Sequence, residues 1–140
     1  TGNVTAARFI GGDSGSFTPT LSTDTSITYT EQTGFWYRVG KLVFITAKIV
    51  TTSALAVGVR TLEVLSLPFN NGAGQQVVST VMLDNYDLPT STDFVVGRTT
   101  IGFNSVNVFA CRDALAATSL IAPTTAATRT IWVTTNFYVP

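Results

Sequence analysis

The stretch Gly34–Val50, GFWYRVGKLVFITAKIV, decides the fold of this chain. Its side chains alternate as in two β-strands that meet at a turn formed by Gly40 and Lys41. The second strand has one apolar face, and its opposite face changes from apolar to polar along its length. This pattern predicts a long central strand, buried on both sides at its start and on one side at its end. The apolar face comprises Val43, Ile45, Ala47 and Ile49.

The first strand of this pair is short and aromatic. Phe35, Tyr37 and Val39 share one face, and Trp36 and Arg38 share the other. In the last predicted strand, Trp132 likewise lies opposite the more apolar residues. We therefore interpret three side chains as subunit contacts or packing residues: Trp36, Arg38 and Trp132.

Composition points to an all-β domain with no strong electrostatic field. Charged residues make up 11% of the chain, less than half the usual share, and Thr, which is β-branched, is the commonest residue. Eight basic and eight acidic residues give zero formal net charge. We expect no nucleic-acid partner, because phosphates require a positive field, and no membrane insertion, because no apolar run of about 18 residues occurs. Low charge also favours self-association.

The order of turn signals predicts one antiparallel β-sandwich or jelly-roll-like domain over residues 27–140, with about eight strands. Residues 1–26 are rich in Gly, Ser and Thr and predict an extended leading segment or linker from a stalk, without regular structure at 11–15. A start at Thr1 without Met suggests an excised domain or a processed fragment. The predicted strands cover 27–31, 35–39, 42–50, 59–67, 76–83, 94–103 with a break at Gly97, 106–111 and 130–139, and 32–34 is a predicted turn.

No catalytic constellation emerges from the residue types. The stretch Gly12-Asp13-Ser14-Gly15 resembles the surroundings of the nucleophile in trypsin-like proteases, but the chain has no His to take the serine proton. Asp84 and Asp87 are the one close carboxylate pair, and a solvated turn explains them. We therefore predict no catalytic residue, and Cys111, alone among apolar neighbours, is predicted to be a buried, inert thiol.

Metal and cofactor sites have little support. Without His and with a single Cys, a zinc or copper site of the ordinary type is excluded. Asp84, Asn85, Asp87 and Asp93 offer oxygen ligands of the kind that Ca²⁺ prefers, but Asp and Asn also favour turns. We predict no cofactor, and both interpretations of the loop 84–93 stay open.

Loops are the predicted ligand-binding surface, because loops on a rigid scaffold commonly carry recognition. Tyr86 is an aromatic residue in a polar loop with no evident core to fill, and it offers a flat face suited to a sugar ring. A second polar turn precedes Gly72. The predicted ligand-binding residues are Asp84, Asn85, Tyr86, Asp87, Asn70 and Asn71.

Four stretches of the sequence resemble a known group of proteins. They are GSFTPTL at 15–21, ITYTEQTGFWYRVGKLV at 27–43, LSLPF at 65–69 and the closing NFY at 136–138. They contain a threonine-rich strand, an aromatic residue, and an Arg-hydrophobic-Gly-Lys turn that leads to a long apolar strand. This pattern is similar to that of the C-terminal receptor-binding (tip or head) domains of tailed-bacteriophage tail fibres and related receptor-binding proteins. The resemblance covers residues 15–69 well and the middle loops hardly at all.

This resemblance implies a homotrimer at the tip of a virion tail fibre, outside the host cell during adsorption. It implies host recognition without catalysis, through loops that bind a cell-surface glycan or protein. An alternative is a structural virion module, such as a trimerisation cap or a decoration protein. A glycan-cleaving enzyme is disfavoured, because the residues show no catalytic constellation.

Overall fold

The computed structural model describes residues 12–22, 26–54, 61–72, 76–86, 88, 92, 94–111, 118–120 and 125–140. All regular structure in these ranges is β, which confirms the predicted fold class, and no helix there is long and apolar enough to cross a membrane. The strands are β1 Asp13–Phe17, β2 Thr20–Leu21, β3 Tyr29–Val39, β4 Leu42–Thr51, β5 Glu63–Leu65, β6 Val77–Asp84, β7 Phe94–Thr99, β8 Val106–Cys111, β9 Thr118–Ser119 and β10 Arg129–Tyr138.

The strands form one antiparallel sheet in the order β1-β3-β4-β10-β6-β7-β8-β5-β2, and β9 pairs with β8. The last strand lies inside the sheet: β10 pairs with β4 along its full length and with β6 over five residues. The two ends of the strand order, β1 and β2, are adjacent in the chain. The sheet therefore curls until its edges meet, and it encloses a core like that of a β-sandwich.

Residues 13–21 join the two edges of the curled sheet. β1 pairs with β3, and β2 pairs with β5. The short link between them is held by the side chain of Gln32, whose Nε2 donates to the carbonyl of Pro19 at 2.9 Å, and the backbone N–H of Leu21 donates to the Tyr29 hydroxyl at 3.0 Å. The prediction that 11–15 lacks regular structure is wrong for Asp13–Gly15, because edge pairing supplies the hydrogen bonds that the local sequence does not.

One continuous cluster of apolar side chains fills the interior. It joins both halves of the curled sheet, from β4 and β10 to β5 and β8. The predicted apolar face of β4 is confirmed, and Cys111 is buried as expected. The largest fully buried apolar side chains are Phe137, Ile45, Ile49, Leu62, Ile131, Val43, Val64, Val106, Val108 and Val133.

Gly34, in a predicted turn, and Gly97, at a predicted break in a strand, both lie within continuous strands. Gly34 is buried inside β3, and a Cβ there would lie 2.5 Å from the ring of Phe17. Gly97 is buried inside β7, where a Cβ would lie 2.5 Å from Cγ1 of Val106 and 2.8 Å from Cγ2 of Val81. Both predictions are wrong for the same reason: these positions lack a side chain because neighbouring side chains occupy the space.

The strand predicted over 59–67 is observed as the shorter β5. Ser66 has a φ of 62°, which a strand does not accommodate, so the strand ends at Leu65. Residues 55–60 and 112–117 lie outside the described residues.

Three buried hydroxyl groups also contact one another across neighbouring strands, on the inner face of the sheet. The Ser79 hydroxyl donates to Oγ1 of Thr135 at 2.8 Å and lies 3.2 Å from Oγ1 of Thr99. All three side chains are buried, and they join β6 to both of its neighbours, β7 and β10. Because each hydroxyl has a partner, the contact avoids the cost of an unsatisfied buried group.

The strands define two ends of the sandwich. The terminal end contains Gly12 near Arg38, the turn at Gly40 and the last residue, Pro140, against Gly72. The loop end contains the start of β10 and the end of β6, where Thr130 faces Asp84. The residues of β10 between the two ends, Thr130 to Tyr138, span about 27 Å at the usual rise of a strand.

Replacing Gly97 with Ala should destabilise the fold by about 1–3 kcal/mol, because the added methyl group overlaps packed side chains. The free energy of unfolding from urea denaturation measures the effect. In the variant Val106→Ala the clash partner is removed, so Gly97→Ala should cost about 1 kcal/mol less in that background. Equal costs in both backgrounds would show that Val106 does not restrict this position.

Candidate functional site

Asp84 and Asn85 lie exposed at the loop end, where β6 finishes. Asn85 has a φ of 60°, a left-handed conformation that Asn tolerates better than most residues. Its Nδ2 donates to the carbonyl of Thr128 at 2.7 Å, which ties the loop to the start of β10. These two residues therefore form a fixed, polar, accessible corner. Asp87, predicted beside them, lies outside the described residues.

Tyr86 packs against the hydrophobic core, so the expectation that it has no core to fill is wrong. Its hydroxyl is buried without a hydrogen-bond partner. Burial raises the pKa of the phenol above its ordinary value, and the positive charge of Arg129 offsets part of that rise. Arg129 Cζ lies 5.8 Å from the centre of the Tyr86 ring. Tyr86 anchors the loop from inside, and its neighbours present the outer surface.

Arg129 is the functional candidate that the sequence interpretation missed. It is 3% exposed and begins the inward face of β10. Its Nη1 and Nη2 donate to the carbonyl and the hydroxyl of Thr125 at 2.8 and 3.0 Å, whereas Nε is buried without a partner. Thr51, its register partner on β4, has a buried hydroxyl that is likewise unpartnered. The sequence did contain a signal for this position, because a charged residue there shares the inward alternation of Ile131 and Val133.

Asn70 and Asn71 lie at the other end of the sandwich from Asp84. Asn70 is exposed, but Asn71 is fully buried. The backbone N–H of Asn71 donates to Phe103, its carbonyl accepts from Gly102, and its side chain donates to the carbonyl of Thr99 at 3.4 Å. Asn71 therefore holds the terminal end together. The structure does not bring the two predicted groups of ligand-binding residues into one surface.

Trp36 points towards the interior. Its ring meets Phe69 edge to face, with centroids 4.9 Å apart and planes at 87°, and it covers the backbone of Gly15. Arg38 is half-buried on the same side of β3, and its Nε donates to the carbonyl of Gly40 at 2.6 Å. Trp36 thus covers the backbone where β1 pairs with β3, and the hydrogen bond from Arg38 stabilises the turn that leads to β4.

Trp132 lies on the outside, at the margin of an apolar surface nearest the loop end. This surface, the outer aromatic face, is formed by the outward side chains of β3, β4, β10 and β6. Eight of the twelve exposed large hydrophobic side chains in the described ranges belong to it. They are Phe35, Tyr37, Val39, Phe44, Val78, Met82, Trp132 and Tyr138.

A trough crosses the outer aromatic face at right angles to the strands. Its floor is a row of threonines in register, Thr46, Thr134 and Thr80. Trp132 and Met82, adjacent in register, stand on one side of this row. The part of the trough between Phe35 and Trp132 is a groove of about 280 Å³. The wall at Trp132 and Met82 is apolar, and the floor is uncharged.

The charged groups that line the groove neutralise each other. Lys48 Nζ lies 2.6 Å from Oε2 of Glu31, and both side chains are 38% exposed. In such a partly solvated position an ion pair contributes little stability. Its main consequence is that the groove presents no net charge. Flat apolar contact with another surface or with a ring is what this arrangement supports.

The described ranges contain no group of three His, Cys, Asp or Glu side chains placed to hold a metal ion. The calcium hypothesis for the loop 84–93 stays a prediction, because Asp87 and Asp93 lie outside those ranges.

Comparison with known proteins gives a likeness in fold. No protein-family model matches the sequence, and no curated protein matches it. Among solved structures, the chain is similar to the crystal structure of the Dettilon tailspike protein, with a TM-score of 0.59 and 18% sequence identity. The match covers 89% of this chain and 24% of the tailspike chain, so this chain spans about a quarter of that protein's length. At this identity the likeness establishes the fold.

Replacing Tyr86 with Phe should raise the free energy of unfolding by about 1 kcal/mol, because it removes a buried hydroxyl without a partner. The matched control is Tyr29→Phe. There the hydroxyl accepts a hydrogen bond from Leu21, so the same change should lower stability by about 1 kcal/mol. Urea denaturation at neutral pH measures both. Destabilisation by Tyr86→Phe would mean that the hydroxyl has a partner in solution.

Tyr86 should also make stability depend on pH in the alkaline range. The folded protein keeps the phenol protonated because its pKa is raised, whereas the unfolded chain loses this proton above a pH of about 10. Stability is therefore lost as the pH rises beyond that value. Tyr86→Phe should show a smaller loss than the wild type when unfolding is compared at pH values of about 9 and 11. Parallel losses would contradict the raised pKa.

Proposed function

We propose that this chain is a domain of a bacteriophage tail protein that recognises the surface of the host cell without catalysis. The observation that carries the proposal is the fold shared with a tailspike protein over 89% of the chain. The sequence stretches that resemble the tip domains of tail fibres support the same conclusion independently. Because the match spans 24% of the tailspike chain, the role proposed is that of one domain within a virion tail protein.

Exposed polar groups support recognition at the loop end. Asp84 and Asn85 are exposed at that end, and we propose that they and Asp87 contact the receptor, a cell-surface glycan or protein, with Tyr86 as their buried support. Asn70 lies too far away to join them.

We further propose that the domain acts as a homotrimer on the virion, outside the host cell. Zero formal net charge leaves little repulsion between copies. The outer aromatic face provides apolar surface for such assembly. Trimers also suit recognition, because three weak contacts on one rigid body give far tighter attachment than one.

A structural virion module without receptor binding is the second candidate. The observation that favours it is the outer aromatic face, since apolar surface of this kind fits protein assembly. Both candidates share self-association, so binding to cells is what separates them.

Binding of the fluorescently labelled chain to a panel of intact bacteria tests the function. We expect saturable binding to some strains and none to others. Asp84→Lys should weaken binding by about tenfold or more, because it reverses a charge at the proposed contact. The matched control is Asp13→Lys, an exposed residue near the terminal end, which makes the same change in charge and should bind like the wild type.

The outcomes of this assay are distinct. If no strain is bound while the chain self-associates, the structural module is favoured. If Asp84→Lys and Asp13→Lys both bind like the wild type, recognition lies away from the loop corner. Release of new reducing ends from the surface polysaccharide of a bound strain would contradict the non-enzymatic role.

A further inference from the structure

We propose that the outer aromatic face is buried against a second copy of this chain. This inference rests on the self-association included in the proposed function, and it adds the surface that mediates the contact. Four observations carry it: the area of the face, its lack of net charge, its ridged shape, and the contrast with the outward side of the other half of the sheet.

The exposed apolar area is large for a free surface. Val78 and Met82 are 73% and 63% exposed, Phe35 and Tyr138 58% and 56%, and the other four members between 37% and 45%. Because a large aromatic side chain covers about 150–250 Å², these fractions amount to on the order of 800 Å² in all. The largest apolar patch of a typical monomer measures about 300–600 Å². A standard protein interface buries about 800 Å² on each partner, which this face matches.

The charges on the face permit its burial against other copies of this chain. In the described strands, the charged residues at its outward positions are Lys48, Glu31 and Asp84. Lys48 and Glu31 are paired with each other, and Asp84 lies at the margin beside the loop end. Two copies therefore meet without like-charge repulsion at the centre. A surface with one dominant sign would repel itself and require a partner of opposite charge.

The shape also suits a second sheet. The threonine row at Thr46, Thr134 and Thr80 forms the trough, and larger side chains stand on either side of it. Trp132 and Met82 form one ridge, and Phe44 lies one outward position along β4 on the other side, about 7 Å from the row. A ridge from another copy can therefore enter the trough. Packed sheets interdigitate in this way at a separation of about 10 Å.

The outward side of the other half of the sheet lacks these properties. On β7 and β8, the guanidinium of Arg98 lies 4.4 Å from the centre of the Phe109 ring. This contact covers an aromatic ring with a hydrated charge. Burying that side against another copy would require removing water from Arg98 in each copy. The uncharged centre of the outer aromatic face carries no such cost.

Sedimentation velocity over a range of about 1–100 µM tests the assignment. The variant Val78→Lys places a charge at the most exposed apolar position of the face, and Phe44→Lys places one beside the trough. Each should weaken self-association about a hundredfold or more, because a buried, unpaired charge is costly. The matched control, Phe94→Lys, changes an aromatic residue that is 55% exposed on β7, and it should associate like the wild type.

Far-UV circular dichroism and thermal unfolding show whether each variant is folded. If Phe44→Lys does not fold, Val78→Lys tests the face on its own. If the wild type associates and both face variants associate equally well, the assignment to this face is wrong and the proposed host recognition is unaffected. If the wild type is a monomer throughout the range, the interface and the proposed homotrimer are both wrong. Loss of association in Phe94→Lys as well would show that the effect is not specific to the outer aromatic face, and the assignment would fail.

Discussion

The pairing of β10 with β4 is the contact on which the rest of the structure depends. Ten successive residue pairs join the two strands, from Arg129 opposite Thr51 to Tyr138 opposite Leu42. In this register all odd-numbered side chains of β10 face the core and the even-numbered ones from Trp132 to Tyr138 face outwards. A slip of one residue would exchange the two sets and place the aromatic side chains in the core. One register thus decides both what the domain buries and what it presents.

The curl of the sheet follows from this central pair. A single sheet with one apolar face must cover that face, and here it does so with its own other half. Residues 13–21 complete the closure, because β1 extends one edge and β2 the other. The two edge strands are short, five residues in β1 and two in β2, which limits pairing with other chains. What remains available for contact is therefore a face and a set of loops, which have different chemistry.

The loop corner and the outer aromatic face have different proposed roles, recognition and assembly. The loop corner at Asp84 and Asn85 is polar, exposed and fixed by a hydrogen bond to the start of β10. The outer aromatic face is apolar, broad and without net charge at its centre. Polar loops favour specific recognition of variable ligands, and broad apolar faces favour permanent assembly. The proposed recognition and the proposed assembly therefore lie on surfaces that do not compete.

The sequence by itself determined the all-β class and the long central strand with its apolar face. Those features follow from alternation, which is a local property of a strand. The sequence did not determine the roles of Gly34 and Gly97, because a residue without a side chain signals a turn and close packing equally well. Only the tertiary structure, through the Phe17 ring and the Val106 methyl groups, decided between them. It also decided that Tyr86 packs against the core, that Asn70 and Asp84 lie at opposite ends, and that eight apolar side chains share one face. Each depends on which strands become neighbours, and that is set by long-range pairing.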